Sequence, residues 1–210
     1  MSSAPTSTSF AVLGLLGIQP WTAYELVAQS KRSLHHFWPR SEAHLYAELK
    51  RLVVRGYAEA TTEPGQRRRQ RTRYRITADG RAALDDWLST EPTPPALEIE
   101  SIMRMMLADQ GTLNDLRTTI QATGRQAREL RTESLVILDE LLSTGGPFPQ
   151  RLHLVERASA FYAEYLTLLI RWSDETLDEI ENWPGTADLG LTPEARKRLE
   201  SFRALATQYP

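Results

Sequence analysis

Apolar residues recur at helical spacing from the start of the chain, and residues 7–17 are apolar almost all round, which predicts a buried helix. A second helix is predicted to open with a capping box from Thr22 to Glu25 and to end near Ser33. A third helix should begin after Ser41, a favourable N-cap residue. The core stripe of this third helix comprises Leu45, Leu49, Leu52 and Val53. Its other side is expected to be a polar face of His44, Glu48, Arg51 and Arg55.

Two short β-strands are predicted to follow the third helix. They cover residues 57–62 and 72–77, and Pro64–Gly65 between them marks a turn. The alternation in the second strand gives two inward residues, Tyr74 and Ile76, and two outward residues, Arg73 and Arg75. A hairpin in this position is the wing of a winged helix-turn-helix domain. A fourth helix should begin after Thr77, with Leu84, Trp87 and Leu88 as its apolar residues.

Beyond residue 90 the pattern predicts helices alone. Three prolines within residues 91–95 mark a boundary between two predicted domains, 1–90 and 91–210. Helices are expected over residues 96–107, 112–142 and 150–181, with a short last helix after Thr192. The predicted fold class is therefore mainly α: an N-terminal winged helix-turn-helix with a two-stranded β wing, followed by a C-terminal all-α dimerisation domain.

The second long helix of this domain carries a heptad seam, which is typical of packing against another long helix. The seam comprises Leu154, Ala158, Phe161, Tyr165, Leu168 and Trp172. The preceding long helix is polar at residues 123–128, so we expect it to cover only part of the seam. A second subunit would supply the missing apolar surface, and the five large side chains of the seam are therefore candidate dimerisation residues.

Composition places the chain among ordinary soluble proteins, with a net charge of only −2. The charge is uneven: residues 1–90 carry 13 Lys and Arg against 8 Asp and Glu, a net +5, and residues 91–210 carry 12 against 19, a net −7. The chain has no cysteine, which excludes disulfides and thiolate metal sites. We found no apolar run of about 20 residues and no secretory signal pattern, so a cytoplasmic location without membrane contact is expected.

The basic residues concentrate in the hairpin. Six of the ten residues from Gln66 to Arg75 are arginines, and none is acidic. Between two strands, such a run is typical of a surface that contacts phosphate or enters the minor groove of DNA. No glycine-rich phosphate loop or nucleophile elbow occurs, so no enzyme is predicted. His35 and His36 lack an acidic partner at suitable spacing, and no metal or cofactor is expected.

Three segments together resemble the PadR family of bacterial transcriptional regulators. They are TSFAVLGLLGIQPWTAYEL, HLYAELKRLVVRGY and RTRYRITADGRAALDDWL. The resemblance covers residues 7–89, and the two long helices of the second domain resemble the virulence-activator-like C-terminal domain of one PadR branch. It implies a homodimeric winged helix-turn-helix regulator whose C-terminal helices pair the subunits. It also implies that Tyr46 lies in the recognition helix and that Thr77 and Gly80 open the following helix, while Ala23 departs from the family's usual glycine.

The first turn of that recognition helix holds side chains that could read bases, because donors and acceptors at this end reach the major groove. The candidates are Arg40, Ser41, Glu42 and His44. Tyr46 either contacts a phosphate or packs inside the domain. The wing candidates are Arg67, Arg68, Arg69, Arg71 and Arg73. Trp87 either packs in the core or lines an effector pocket, a feature that the resemblance implies.

These observations predict a DNA-binding transcriptional regulator, a repressor, that recognises a pseudo-palindromic operator as a homodimer. The predicted partners are double-stranded DNA, a second copy of the chain and a small-molecule effector. The alternative is an effector-sensing adaptor whose helical half binds a small molecule or a protein, with DNA binding secondary.

Overall fold

The computed structural model describes residues 4–64 and 70–208, and the chain divides after Pro95 into two compact units. We call them the winged-helix unit and the helical unit. The elements of the winged-helix unit are α1 (Ser7–Ile18), β1 (Trp21–Thr22), α2 (Ala23–Ser33), α3 (Glu42–Val54), β2 (Ala58–Pro64), β3 (Gln70–Ile76) and α4 (Ala78–Ser89). The predicted fold class is confirmed as mainly α, with an N-terminal winged helix-turn-helix and a C-terminal helical region. One element is additional: β1, which the sequence pattern did not predict.

The three strands form an antiparallel sheet in the order β1-β3-β2, so β3 is the central strand. Ala58 pairs with Ile76 at the base of the hairpin, and Pro64 pairs with Gln70 near its tip. On the other edge of β3, Trp21 pairs with Tyr74. The Trp21 indole N–H also donates to the carbonyl oxygen of Leu15 at 2.8 Å, which ties this edge strand to α1. The wing, defined here as residues 58–76, is thus held from both sides of its central strand.

The core of the winged-helix unit lies between α1, α2 and α3. Its leucines are almost completely removed from solvent: Leu13, Leu26, Leu49 and Leu52. The predicted stripe of α3 supplies two of them, as its helical spacing requires. Thr77 caps α4 by accepting a hydrogen bond from the Gly80 amide at 3.1 Å, and its hydroxyl donates to the Gly56 carbonyl at 2.6 Å. The start of α4 is therefore fixed against the end of α3.

The helical unit consists of α5 (Glu100–Met106), α6 (Leu113–Thr144), α7 (Leu152–Ile180) and α8 (Pro193–Gln208). The start of α6 follows the prediction: Thr112 and Asp115 form a reciprocal capping box. Its end is set by Gly145, whose φ of 73° is the left-handed conformation that favours glycine. The predicted helix over residues 96–107 is shorter than expected and begins at Glu100.

The polar middle of α6 is buried, although we expected its polarity to keep it from packing on α7. Thr123, Gly124 and Ala127 are all buried. A Cβ on Gly124 would lie 3.0 Å from the Cβ of Ser173, so the two helices approach closely at this point. The physical reason is size: small side chains let two helix backbones come near each other even when some of them are polar.

The face of α7 that packs on α6 lies one residue along from the predicted seam. Its buried residues are Tyr162, Leu166, Ile170, Ser173 and Ile180. Of the predicted dimerisation residues, Tyr165 and Trp172 are half-buried. Tyr165 packs against a buried cluster that includes Leu166, and Trp172 packs against a second one that includes Ile180. Leu154, Phe161 and Leu168 are 56%, 68% and 50% exposed, and we call these three the α7 stripe. Among the described residues, no helix is both long and apolar enough to span a membrane.

Candidate nucleic-acid interface

The start of α3 is exposed and defined by a side-chain cap. Ser41 has an extended backbone conformation, and its hydroxyl accepts a hydrogen bond from the His44 amide at 3.3 Å. This confirms the predicted N-cap. Ser41, Glu42 and His44 are all exposed. A helix start of this kind presents unpaired backbone N–H groups together with polar side chains, an arrangement suited to phosphate and base edges.

The neighbouring candidates have partners within the chain. The Arg40 guanidinium lies over the Trp38 ring, 4.5 Å from its centroid, and donates to the Pro39 carbonyl at 2.8 Å. Glu42 forms an ion pair with Lys31 of α2, and this carboxylate raises the pKa of Lys31. Tyr46 is half-buried. His44 is therefore the most freely presented of the predicted base readers, while Glu42 also joins α2 to α3.

The predicted polar face of α3 is wrong at two positions. Glu48 is 2% exposed, and the Arg55 side chain is only 10% exposed. The sequence contained the signal: Glu48 follows Leu45 by three residues and precedes Leu52 by four, so it lies within the core stripe. The exposed face of α3 is instead formed by Ala43, His44, Ala47, Lys50, Arg51 and Val54.

Buried Glu48 is neutralised by partners from two helices. The Ser9 hydroxyl of α1 donates to one carboxylate oxygen, and the Arg51 Nε donates to the other at 2.8 Å. The Arg55 guanidinium lies 3.8 Å away. Burial raises the pKa of Glu48, but the hydrogen bonds from Ser9 and Arg51 and the two positive charges lower it more, and the net shift is downward. Glu48 thus remains charged and joins α1 to the exposed helix.

Lys50 was missed by the sequence analysis and shares the exposed face of α3 with His44. It lies six residues after His44 and three after Ala47, and all three are exposed. Two of the positions on this face, Ala43 and Ala47, have only a methyl side chain. Small residues allow a helix to approach a groove closely, and a methyl group can contact the methyl of thymine. The face combines close approach with a positive charge at its far end.

The arginines of the wing fall into three groups. Arg67, Arg68 and Arg69 lie outside the described residues. Arg71 and Arg75 are exposed, on the same face of β3. Arg73, which we predicted to point outward, is instead half-buried, because its guanidinium contacts acidic and carbonyl groups of the unit itself. The wing therefore presents at least two exposed arginines in the same unit as the exposed start of α3.

Trp87 stacks on Phe10, with 4.9 Å between ring centroids and 8° between ring planes. The pair joins α4 to α1, and 39% of Trp87 remains exposed. A stacked ring that is partly exposed is compatible both with core packing and with contact to a ligand. The effector pocket at Trp87 therefore stays a prediction. Within residues 4–64 and 70–208, no cluster of three or more His, Cys, Asp or Glu side chains is placed to hold a metal ion.

Three helices, an antiparallel wing and an exposed, capped third helix define a winged helix-turn-helix protein. The sequence profile described as "Transcriptional regulator PadR-like family" matches residues 12–86. This match lies within the winged-helix unit, which is similar in sequence to the PadR-like family of transcriptional regulators. The predicted sub-branch, with a virulence-activator-like C-terminal domain, stays a prediction.

One curated relative supports this similarity. The chain is 28% identical over 96 residues to the "Negative transcriptional regulator PadR" of Bacillus subtilis, covering 45% of this chain and 53% of that protein. The chain thus spans about half the length of this curated relative.

Two solved structures share the fold across both units. The crystal structure of Bacillus subtilis PadR in complex with operator DNA has a TM-score of 0.67 at 20% identity, covering 83% of this chain and 99% of that chain. The Vibrio cholerae virulence activator AphA has a TM-score of 0.66 at 21% identity, covering 83% and 98%. The helical unit is therefore part of the shared architecture, although its sequence lies outside the matched profile.

Proposed function

We propose that this protein is a homodimeric, sequence-specific DNA-binding regulator that represses transcription from a pseudo-palindromic operator. The observation that carries the proposal is that one unit combines the capped, exposed start of α3 with a wing whose Arg71 and Arg75 are exposed. In this proposal α3 enters the major groove and the wing contacts the neighbouring backbone or minor groove. The repressor role is supported by the name of the Bacillus subtilis relative, a negative regulator.

Specificity is assigned to the first turns of α3. His44 can donate to or accept from a base edge, and Ser41 retains a hydroxyl hydrogen for a further donor interaction. Ala47 and Lys50 extend the contact along the same exposed face. Arg40 and Tyr46 are assigned to the flanking backbone, because the first is held over Trp38 and the second is half-buried.

The α7 stripe is the proposed dimer contact. Leu154, Phe161 and Leu168 project large apolar side chains from one helix face that α6 leaves exposed. Apolar patches of this kind mark protein contacts, and a two-fold pair would supply two α3 helices for two half-sites, which lie about 34 Å apart on one face of DNA. Each half-site then increases the effective concentration of the other subunit.

A salt titration of DNA binding tests the proposal. Genomic fragments bound by the wild type in the presence of competitor DNA are used, and affinity is measured at several salt concentrations. Replacement of Arg67, Arg68 and Arg69 with alanine should weaken binding to all sequences and lower the slope of log affinity against log salt by roughly 3.

The matched control removes the same charge elsewhere. Arg131, Arg157 and Arg203 are exposed residues of the helical unit, and their joint replacement with alanine should leave the slope close to that of the wild type. Equal slopes for both triple variants would exclude the wing from the interface. A wild type with no preference for any fragment over competitor would reject sequence-specific binding and favour the adaptor alternative.

A further inference from the structure

Arg73 lies at the point where the wing meets the rest of the winged-helix unit. It belongs to the central strand β3 and is paired with Thr22 of β1 on one side and Thr61 of β2 on the other. Its side chain is 32% exposed. An arginine that contacts DNA needs a guanidinium that is free to reach phosphate or base edges. The guanidinium of Arg73 instead contacts groups of the winged-helix unit itself.

The Arg73 guanidinium bridges two acidic residues from different elements. Its Nε lies 2.9 Å from a carboxylate oxygen of Glu63, near the tip of β2. Its Nη1 lies 3.9 Å from a carboxylate oxygen of Glu25, in the first turn of α2, and donates to the Pro20 carbonyl at 3.2 Å. One planar group therefore connects the distal part of the wing to the start of the helix-turn-helix.

The anchor at the α2 end is itself fixed. The same Glu25 oxygen accepts a hydrogen bond from the Thr22 amide at 2.8 Å, as part of the α2 capping box. Pro20, Thr22 and Glu25 lie within six consecutive residues, 20–25, so all contacts of Arg73 on this side arise from one short segment. A displacement of the wing relative to α2 would break several contacts at once.

We propose that Arg73 is a positioning residue which, through Glu63 and Glu25, fixes the wing relative to the helix-turn-helix for DNA binding. The inference rests on the proposed function and reassigns Arg73 from direct DNA contact. A wing fixed before binding spares the complex the entropy of ordering it. Lysine could not replace arginine here, because an ammonium lacks the planar fork that reaches both carboxylates.

Replacement of Glu63 tests the proposal, because the two explanations predict opposite changes in DNA affinity. Removing an acid from a DNA-binding surface should strengthen binding through charge alone, whereas loss of the clamp should weaken it. We expect Glu63→Ala to bind its DNA fragment about three- to tenfold more weakly than the wild type. The matched control is Glu59→Ala, an exposed acid on the same face of β2, which should bind equally well or more tightly.

Arginine variants separate positioning from contact. Arg75→Ala should lower the slope of log affinity against log salt by roughly 1, because a phosphate contact is lost. Arg73→Ala and Arg73→Lys should weaken binding by about three- to tenfold with the wild-type slope, since the bound complex keeps its contacts. The double variant Arg73→Ala/Glu63→Ala should bind no more weakly than Arg73→Ala, as expected for residues that act together.

Hydrogen exchange of the free protein supplies a readout that does not need DNA. Amides of residues 58–64 and 70–76 should lose protection in Glu63→Ala and keep it in Glu59→Ala, while circular dichroism confirms that both variants fold. Glu63→Ala that binds as tightly as Glu59→Ala, or Arg73→Ala with the slope of Arg75→Ala, would overturn the clamp. A wild type that binds no fragment overturns the proposed function instead, so the two failures are distinguishable.

Discussion

In the winged-helix unit the leucines of α1, α2 and α3 are covered by one another, whereas α7 in the helical unit keeps three large apolar side chains half or more exposed. Leu13 and Leu49 are 0% and 2% exposed, against 68% for Phe161. The exposed face of α3 is the opposite of the α7 stripe in character: it carries the polar side chains of His44 and Lys50 together with the small side chains of Ala43 and Ala47. Each unit therefore exposes a helix face that does not take part in its own core. The face of α3 is polar and basic, and the face of α7 is apolar.

The two units also treat polar residues in the interior differently. The winged-helix unit buries a charged carboxylate, Glu48, and surrounds it with Ser9, Arg51 and Arg55. The helical unit buries small residues at its helix crossing, including Gly124 and Ser173. An ionic cluster requires fixed geometry among several elements, while a small-residue contact requires only close approach. This contrast predicts which substitutions each unit tolerates.

The largest effect is expected from Leu166, which lies two residues from Leu168 on α7. Leu166 is 1% exposed and Leu168 is 50% exposed. Leu166→Ala should lower the free energy of unfolding by about 2–5 kcal/mol at every protein concentration, because it leaves a cavity between α6 and α7. Leu168→Ala should cost less at low concentration and more at high concentration, because association adds stability by mass action.

Urea unfolding at several protein concentrations, with sedimentation equilibrium of each variant, measures the difference. The stripe is not an interface if wild-type protein sediments as a monomer at micromolar concentration, or if Leu168→Ala sediments as the wild type does.

The second effect concerns the joint between α4 and the end of α3. A Cβ on Gly80 would lie 2.0 Å from the Tyr57 carbonyl oxygen. Gly80→Ala should therefore force the backbone apart and destabilise the winged-helix unit by about 1–3 kcal/mol. The control is Gly14→Ala in α1, where a Cβ meets no atom within 4 Å, and which should stabilise by about 0.5–1 kcal/mol. Thermal unfolding decides, and equal melting temperatures for the two variants would contradict the packing argument.

The third effect tests whether the polar surface of α3 serves binding and not stability. His44 is exposed, so His44→Ala should change the unfolding free energy by less than about 0.5 kcal/mol. In DNA binding it should cost about 1–3 kcal/mol at one or two positions of the half-site. A binding assay against all single-base variants of a bound fragment measures this. A uniform loss across sequences would mean that His44 only contacts the backbone, and no loss would exclude it from the interface.

The smallest effect is expected at the ionic cluster and depends on pH. Glu48 has a pKa below its ordinary value of 4.5 in the folded state, so its stabilising contribution is present above that value and is lost as pH falls through the lower, folded-state pKa. Glu48→Gln should cost about 1–2 kcal/mol near neutral pH, and the difference from the wild type should shrink below about pH 4.

Urea unfolding between pH 3 and 7 measures this dependence, with exposed Glu59→Gln as the control. A difference between Glu48→Gln and the wild type that is constant over this range would show that the carboxylate contributes through shape and not through its charge.

At four helices the starting residue was set by the local sequence. Thr22, Ser41, Thr77 and Thr112 all cap the helices predicted to follow them. A cap needs only a side-chain oxygen and an amide two or three residues away, so its information lies within one turn. The strands of the wing were predicted for a similar reason, although each extends further toward the tip than expected. By contrast, β1 has only two residues and no alternating pattern of its own. It is a strand because it pairs with the free edge of β3.

Which face each helix buries, and what its polar residues contact, was decided by the tertiary structure. Glu48 satisfied the spacing of the core stripe. Its charged carboxylate can be buried only because Ser9 of α1 and Arg51, later in α3, donate hydrogen bonds to it. The face of α7 is rotated by one residue from the seam because Gly124 and Ser173 allow close approach. Arg73 carries the same charge as Arg71 and Arg75, and its different environment comes from Glu25, far away in the sequence. The sequence alone determined the class of fold and the concentration of arginine in the wing, because both depend on neighbouring residues. The pairing of charges across elements required the folded chain.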